Sequence, residues 1–214
     1  MDSTLPSNVP TEQFKDVKKF YQEQLERYYP DDIRCMGWMD TREYSLRFRL
    51  ACKIADLSHA TILDVGCGTG GLLAYLKGKG IPVIYHGIDI LEEMVTICYK
   101  NHSDSIVRQA NILLDTIEPA QYVFCLGSLN IEEPGFHETF LKMVDRMIEL
   151  ATKGVVLNFL SDSTFLVPGR YHFEDSAVIK KYIEEKHSKR VLNVAIHDEE
   201  LLAGECTMFI YLRV

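Results

Sequence analysis

The chain has 214 residues, 47% of them apolar and 25% charged, an ordinary globular composition with enough length for one sizeable core. Its 31 acidic against 23 basic residues give a net charge of -8 without a dense Lys/Arg run, which argues against DNA or RNA as the main partner. No apolar run approaches the roughly 18 residues that a membrane span needs, so no membrane partner is expected.

Residues 1–10, MDSTLPSNVP, lack the apolar core of a signal peptide and read as a frayed end. Residues 11–29 place Phe14, Val17, Phe20, Tyr21 and Leu25 at helical spacing, and Pro30 stops them before the turn-rich link DDIRCMGWMD. Residues 41–57 read as a second amphipathic helix. From residue 61 strands and helices alternate: TILDVG, then the helix GGLLAYLKGKG, then PVIYHGIDI, then the helix LEEMVTICYKN. SIVRQAN and QYVFCLGS are the third and fourth strands, GFHETFLKMVDRMIELA is a long helix and KGVVLNFLS the fifth strand. A helix near 174–187 precedes RVLNVAIH and CTMFIYLRV, whose short polar link favours an antiparallel pair closing one edge. The expectation is an α/β fold: a doubly wound, mostly parallel seven-stranded sheet with an antiparallel C-terminal strand and N-terminal helices. Residues 1–40 would form a helical extension or lid, and residues 41–214 the main domain.

The stretch TILDVGCGTGG fits both G-x-G-x-x-G and G-x-G-x-G. Ligands of such sheets bind beyond the carboxyl ends of the strands, where a glycine turn lets them approach the backbone and the next helix offers unpaired amides. Asp64, two positions before Gly66, would repel a pyrophosphate and suit a ligand that presents a cation. Asp89, ending the second strand, can accept from both hydroxyls of a ribose; with Glu92 it also makes a helix-capping pair, and both roles can coexist.

ILDVGCGTGGLLAYL, the acid in GIDI, QANIL and VFCLGSLN together resemble the class I S-adenosylmethionine-dependent methyltransferases, from about residue 35 to the end of the chain. GWMDTREYSLRFRL with GVVLNFLS is similar to small bacterial members described only as methyltransferases. The resemblance implies a Rossmann-like sheet, S-adenosylmethionine as cofactor, S-adenosylhomocysteine as product and a small-molecule acceptor. It implies that Asp64 binds the methionyl amino group and that Gly66, Cys67, Gly68 and Gly70 lie against the methionyl and sulfonium part. Asp89 would grip the ribose, while Ile90 and Met94 flank the adenine. Asn111 stands where the family often carries Asp against the adenine amine, and could accept through its carbonyl oxygen. Ile112 offers a backbone amide beside it, and Gly127 lies where the methyl group meets the acceptor.

On the acceptor side the candidates are Tyr29, Trp38 and Asn130, with Tyr28, Tyr29 and Trp38 suited to an aromatic lid. Arg47 has two candidate partners, the methionyl carboxylate and an acidic neighbour, of which the second ranks first. His137, Glu132, Asp162, His172 and Tyr29 could reach the cleft mouth, and none is singled out as a base, so the catalytic residue stays unassigned. Cys67 has no partnering His, and no H-x-x-x-H pair or metal-ligand cluster appears, so no metal is expected. The six cysteines are far apart without a C-x-x-C pair, which fits a reducing compartment and a cytoplasmic protein. Two rival readings remain: a nicotinamide-dependent oxidoreductase, and a cofactor-binding sensor or assembly protein without turnover. The sequence assigns neither the acceptor nor an oligomeric state.

Overall fold

The computed structural model describes residues 14–29, 33–38, 40–161, 170–197 and 204–213. The expected frayed end and the candidate base Asp162 lie outside the described residues. Helix α1 (Lys15–Tyr28), a 3-10 turn (Ile33–Met36) and helix α2 (Thr41–Ala51) precede the sheet. Asp40 starts α2 by accepting from the amides of Arg42 (2.6 Å) and Glu43 (3.1 Å). Helix α1 is capped from a distance. The Glu133 carboxylate accepts from the amides of Phe14 (2.6 Å) and Asp16 (3.1 Å), and buried Phe14 is held there at φ +64°.

The alternating part runs β1 (Thr61–Val65), α3 (Gly71–Gly78), β2 (Ile84–Asp89), α4 (Glu92–Asn101), β3 (Ile106–Gln109), β4 (Ala120–Leu126), α5 (Phe136–Leu150) and β5 (Ala151–Leu160). It ends with α6 (Ser176–Lys186), β6 (Val191–His197) and β7 (Glu205–Leu212). Successive residues of a strand point to opposite faces, and the core divides accordingly. Leu63, Val123, Val155 and Met208 pack on one face with Phe140, Val144 and Met147 of α5 and Ile179 and Ile183 of α6. Ile62, Phe124, Val156 and Phe209 pack on the other with Phe48 and Leu50 of α2 and Leu72 and Leu76 of α3.

The sheet has seven strands in the order β3-β2-β1-β4-β5-β7-β6, parallel from β3 through β5. Strand β7 runs antiparallel to both β5 and β6, as expected for the C-terminal strand. These two C-terminal strands pair side by side and close one edge, as expected, with β6 outermost. Helix α6 carries β6 across to the edge, and β7 turns back into the gap between β6 and β5. The sequence carries the reason: β7 is buried along nearly its whole length, as an interior strand must be, whereas β6 has exposed positions suited to an edge. The strand order reverses between β1 and β4, which opens a crevice at their carboxyl ends.

Candidate functional site

A cleft open to solvent lies at that crevice. The strand order sets Asn111, Asp89, Gly66 and Gly127, at or just beyond the ends of β3, β2, β1 and β4, in a row along its floor. Three strand spacings make this row about 14 Å long. Phe14 just before α1, Val17 and Tyr21 within it, Met36 and Trp38 from the link, and Tyr44 and Phe48 of α2 form the facing wall.

The glycine turn is drawn tight from β2. The amides of Gly66 and Cys67 donate to the Ile88 carbonyl at 2.8 and 3.0 Å. Gly66 has φ +72°, and a Cβ there would overlap the Ser128 hydroxyl, so only glycine fits. Asp89 ties the turn to α4: one oxygen accepts from the amide of Gly68 (3.0 Å), the other from that of Leu91 (2.9 Å). Burial pushes this carboxyl up, and the amide bonds pull it back. Its capping role is thus real, and each oxygen keeps a second lone pair for a ligand.

Asp64 is 3% exposed and contributes to the cleft wall. The Tyr85 hydroxyl donates to its Oδ2 at 2.6 Å. The pairing of Asp64 with Gly87 puts Tyr85 diagonally across on the same face, within reach. Burial pushes the Asp64 carboxyl up to about 7 against the pull of that bond, and the negative charge of Asp89 adds to the rise. The cleft therefore holds two crowded, desolvated carboxylates. Among its described lining residues there is no Lys, Arg or His. Such a site favours a cation and disfavours a pyrophosphate.

Of the residues read for the ligand, Asp64, Gly66, Cys67, Gly68, Asp89, Ile90, Met94, Asn111, Ile112 and Gly127 all line the cleft. Gly70 does not line it; it starts α3 at φ +91°, packed beneath His102 and Cys98. Asn111 is partly committed, because its Oδ1 accepts from the Leu113 amide (2.9 Å) while its own amide donates to Asp115 (2.7 Å). One lone pair of Oδ1 is spent, and the free donors are those of Nδ2.

The acceptor-side residues separate. Trp38 lines the cleft and closes over Gly127, whose φ is +80° and where a Cβ would come within 2.5 Å of the indole Cζ2. Tyr29 is 45% exposed and Asn130 is buried, and neither lines the cleft. Tyr28 packs instead under Arg34, 4.8 Å from its ring centre. Arg47 takes the acidic neighbour: Nε donates to Glu205 Oε2 at 2.7 Å and Nη2 to Oε1. Of the candidate bases, His137, Glu132 and His172 are tied up outside the cleft. His172 holds Glu132 through Nδ1 (2.8 Å) and Glu174 through Nε2 (2.7 Å), and His137 holds the same Glu174 (2.7 Å). Sequence reasoning missed Phe14, Val17, Tyr21, Tyr44 and Tyr85. The helical spacing of the first three was visible; what they face was not.

A carboxylate-flanked glycine turn at the switch point of a doubly wound sheet lies where α/β proteins of this class bind their ligands. Residues 62–149 match the family described as Methyltransferase domain. A stretch of 65 residues is 29% identical to a fatty-acid O-methyltransferase of Mycolicibacterium smegmatis, covering 30% of this chain and only 24% of that relative's length. Among solved structures, the magnesium protoporphyrin IX methyltransferase of Synechocystis PCC 6803 with bound SAH has a TM-score of 0.68 at 16% identity, over 94% of this chain and 99% of that one. Human N-acetylserotonin methyltransferase in complex with SAM gives 0.64 at 14% identity, over 95% and 60%. The fold is that of the class I S-adenosylmethionine-dependent methyltransferases. Residues 62–149, the stretch that matches the methyltransferase domain model, lie within it.

Proposed function

We propose that this protein transfers a methyl group from S-adenosylmethionine to a small-molecule acceptor, releasing S-adenosylhomocysteine. One observation carries the reading. Asp64 and Asp89 flank the glycine turn in a cleft whose described lining holds no cationic side chain. The likeness to methyltransferases solved with SAM or SAH supports it.

Asp89 would take the ribose hydroxyls through the lone pairs left by Gly68 and Leu91. Asp64 would hold the methionyl ammonium while Tyr85 fixes its other oxygen. Met94, Ile112 and Ile90 provide the apolar slot for the base at the β2–β3 end. When bound, S-adenosylmethionine supplies a methyl group on a sulfonium, a built-in leaving group. What the chain must add is orientation, which can remove roughly 7–11 kcal/mol of a barrier when the reacting atoms are held near attack. The aromatic wall of Tyr21, Tyr44 and Trp38 excludes water, and its π faces suit a cation, for about 0.5–2 kcal/mol. No described His or Lys reaches the cleft, so the acceptor group would lose its proton to solvent or arrive already ionised. Residues up to 40 act in this reading as the lid. An acidic chain in which no disulfide joins the six cysteines suits a reducing cytoplasm.

Calorimetry with S-adenosylhomocysteine and with NAD tests the ligand. Saturation at 100 times the dissociation constant should stabilise the fold by about 2.7 kcal/mol for the first and by nothing for the second. Incubation with labelled S-adenosylmethionine and a panel of carboxylic acids, phenols and amines tests turnover. Binding without transfer to any of them would favour the sensor reading.

A further inference from the structure

Beyond Gly127 the sheet continues to β5 and β7, and a buried polar network stands there. Arg47 is 3% exposed, Glu205 5%, and Asn158 is fully buried. Besides its two bonds to Arg47, Glu205 lies 3.5 Å from Asn158 Nδ2, which also donates to Thr207 Oγ1 at 3.1 Å and to the Cys206 carbonyl at 3.2 Å. The guanidinium carbon of Arg47 sits 3.5 Å over the centre of the Trp38 ring. The same ring rests on Gly127, which leaves no room for a side chain there. The indole is therefore fixed between the guanidinium and the floor of the cleft at its methyl end.

The network is poorly made as a stabilising element. Among the described residues, buried Arg47 Nη1 and Asn158 Oδ1 have no partner. A buried ion pair with a spare donor is a weak source of stability, and apolar residues of the same volume would do as well or better. What it does provide is a flat, charged face at a defined height above Gly127. A guanidinium gripped by a carboxylate on two sides supplies such a face, and a flexible ammonium does not.

We propose that Arg47, locked by Glu205, is a positioning residue for methyl transfer: it acts through Trp38, holding the indole as the wall that closes the methyl end of the cleft and separates the bound donor from the acceptor side. The proposal rests on the S-adenosylmethionine reading for the ligand whose binding the wall should sense. Trp38 is the single tryptophan of the chain, so its fluorescence reports this wall alone.

The test is acrylamide quenching of Trp38 with and without S-adenosylhomocysteine, beside calorimetry of the same ligand. In the unmodified protein the ligand should cut the quenching constant by about twofold or more, because it covers the part of the indole that the guanidinium and Gly127 leave open to the cleft. Arg47→Met should raise ligand-free quenching about twofold and abolish ligand protection, while the calorimetric affinity stays within about threefold, since Arg47 does not line the cleft. Arg47→Lys keeps the charge opposite Glu205 and loses the flat face. It should behave like Arg47→Met, and it stands in should that variant fail to fold. A folded Arg47→Lys that keeps ligand-free quenching and ligand protection at the unmodified values overturns the proposal. So does an unmodified protein that binds the ligand calorimetrically without protecting Trp38. If calorimetry finds no binding at all, the donor reading fails; the wall is then judged on ligand-free quenching, where unchanged values in both variants overturn it and a rise supports it.

Discussion

The two ends of the cleft are built by different means. At the donor end, β1, the glycine turn and β2 lie within one short stretch, and Asp89 reaches only 21 positions back to hold the amide of Gly68. At the acceptor end, Arg47 and Glu205 are 158 positions apart, and the residue they serve, Trp38, belongs to neither element. The first end is made of backbone aimed by a local motif. The second is made of side chains brought together only by the complete sheet. Variants at the two ends should therefore fail in different ways.

The largest effect is expected at Asp89. Asp89→Ala strips the acceptor from two amides and from the ribose together, and charge-assisted bonds are worth about 1.5–3 kcal/mol each. Affinity for S-adenosylhomocysteine should fall about 100-fold or more in calorimetry, against the near-constant affinity expected of Arg47→Met. Equal losses from both variants would erase the distinction between the ends.

Next comes Asp64, where the effect depends on pH. Burial raises this carboxyl from 3.8 to about 7, so in the ligand-free protein it gains a proton as pH falls through 7. An ammonium needs the ionised form. Affinity for S-adenosylhomocysteine should thus be about tenfold weaker at pH 6 than at pH 8, with proton release on binding near neutral pH. Asp64→Asn should flatten this dependence and bind about tenfold or more weakly at pH 8. The stability of the empty protein has the opposite sign. A carboxyl whose folded value lies above its unfolded value stabilises at low pH, and that stability is lost as pH rises to about 7. Asp64→Asn should therefore melt higher than the unmodified protein at pH 8, a gain that shrinks near pH 4.

This contrast also sets what the sequence discloses. TILDVGCGTGG and GIDI specify the strand, the turn and both carboxylates, because each lies within a few residues of what it shapes, and six of the seven ligand residues read there line the cleft. Gly70 differs because its role is to start α3, one position beyond the ligand surface. Strand β7 was legible as a strand and as antiparallel, but its insertion between β5 and β6 follows from the crossover of α6, which no local pattern encodes. Tyr29 and Asn130 sit beside the right elements and do not line the cleft. Tyr85 reaches Asp64 through strand register, and register is fixed by the assembled sheet.

Glu133 holds the start of α1, which forms part of the wall facing the floor, and its effect should be intermediate. Glu133→Gln weakens the side-chain cap on α1, a loss of about 1 kcal/mol. Hydrogen exchange over residues 15–28 should quicken about fivefold, while S-adenosylhomocysteine affinity drops about threefold as Phe14, Val17 and Tyr21 loosen from the cleft wall. Unchanged exchange would mean that packing alone seats this helix.

The smallest effect is expected just outside the donor end. Lys77 of α3 pairs with Asp104 at 2.5 Å, their side chains 43% and 73% exposed. Both stay hydrated, and salt screens their attraction, so the contact has little to give the fold. Lys77→Ala should shift the melting midpoint by no more than about 1 °C and leave S-adenosylhomocysteine affinity unchanged. Lys77 also acts on His102, the residue packed over Gly70, whose imidazole is pushed down by burial first and by this ammonium second. If affinity nevertheless falls, the turn is being held from its outer side through His102. The donor end would then depend, as the acceptor end does, on a side chain remote from its motif.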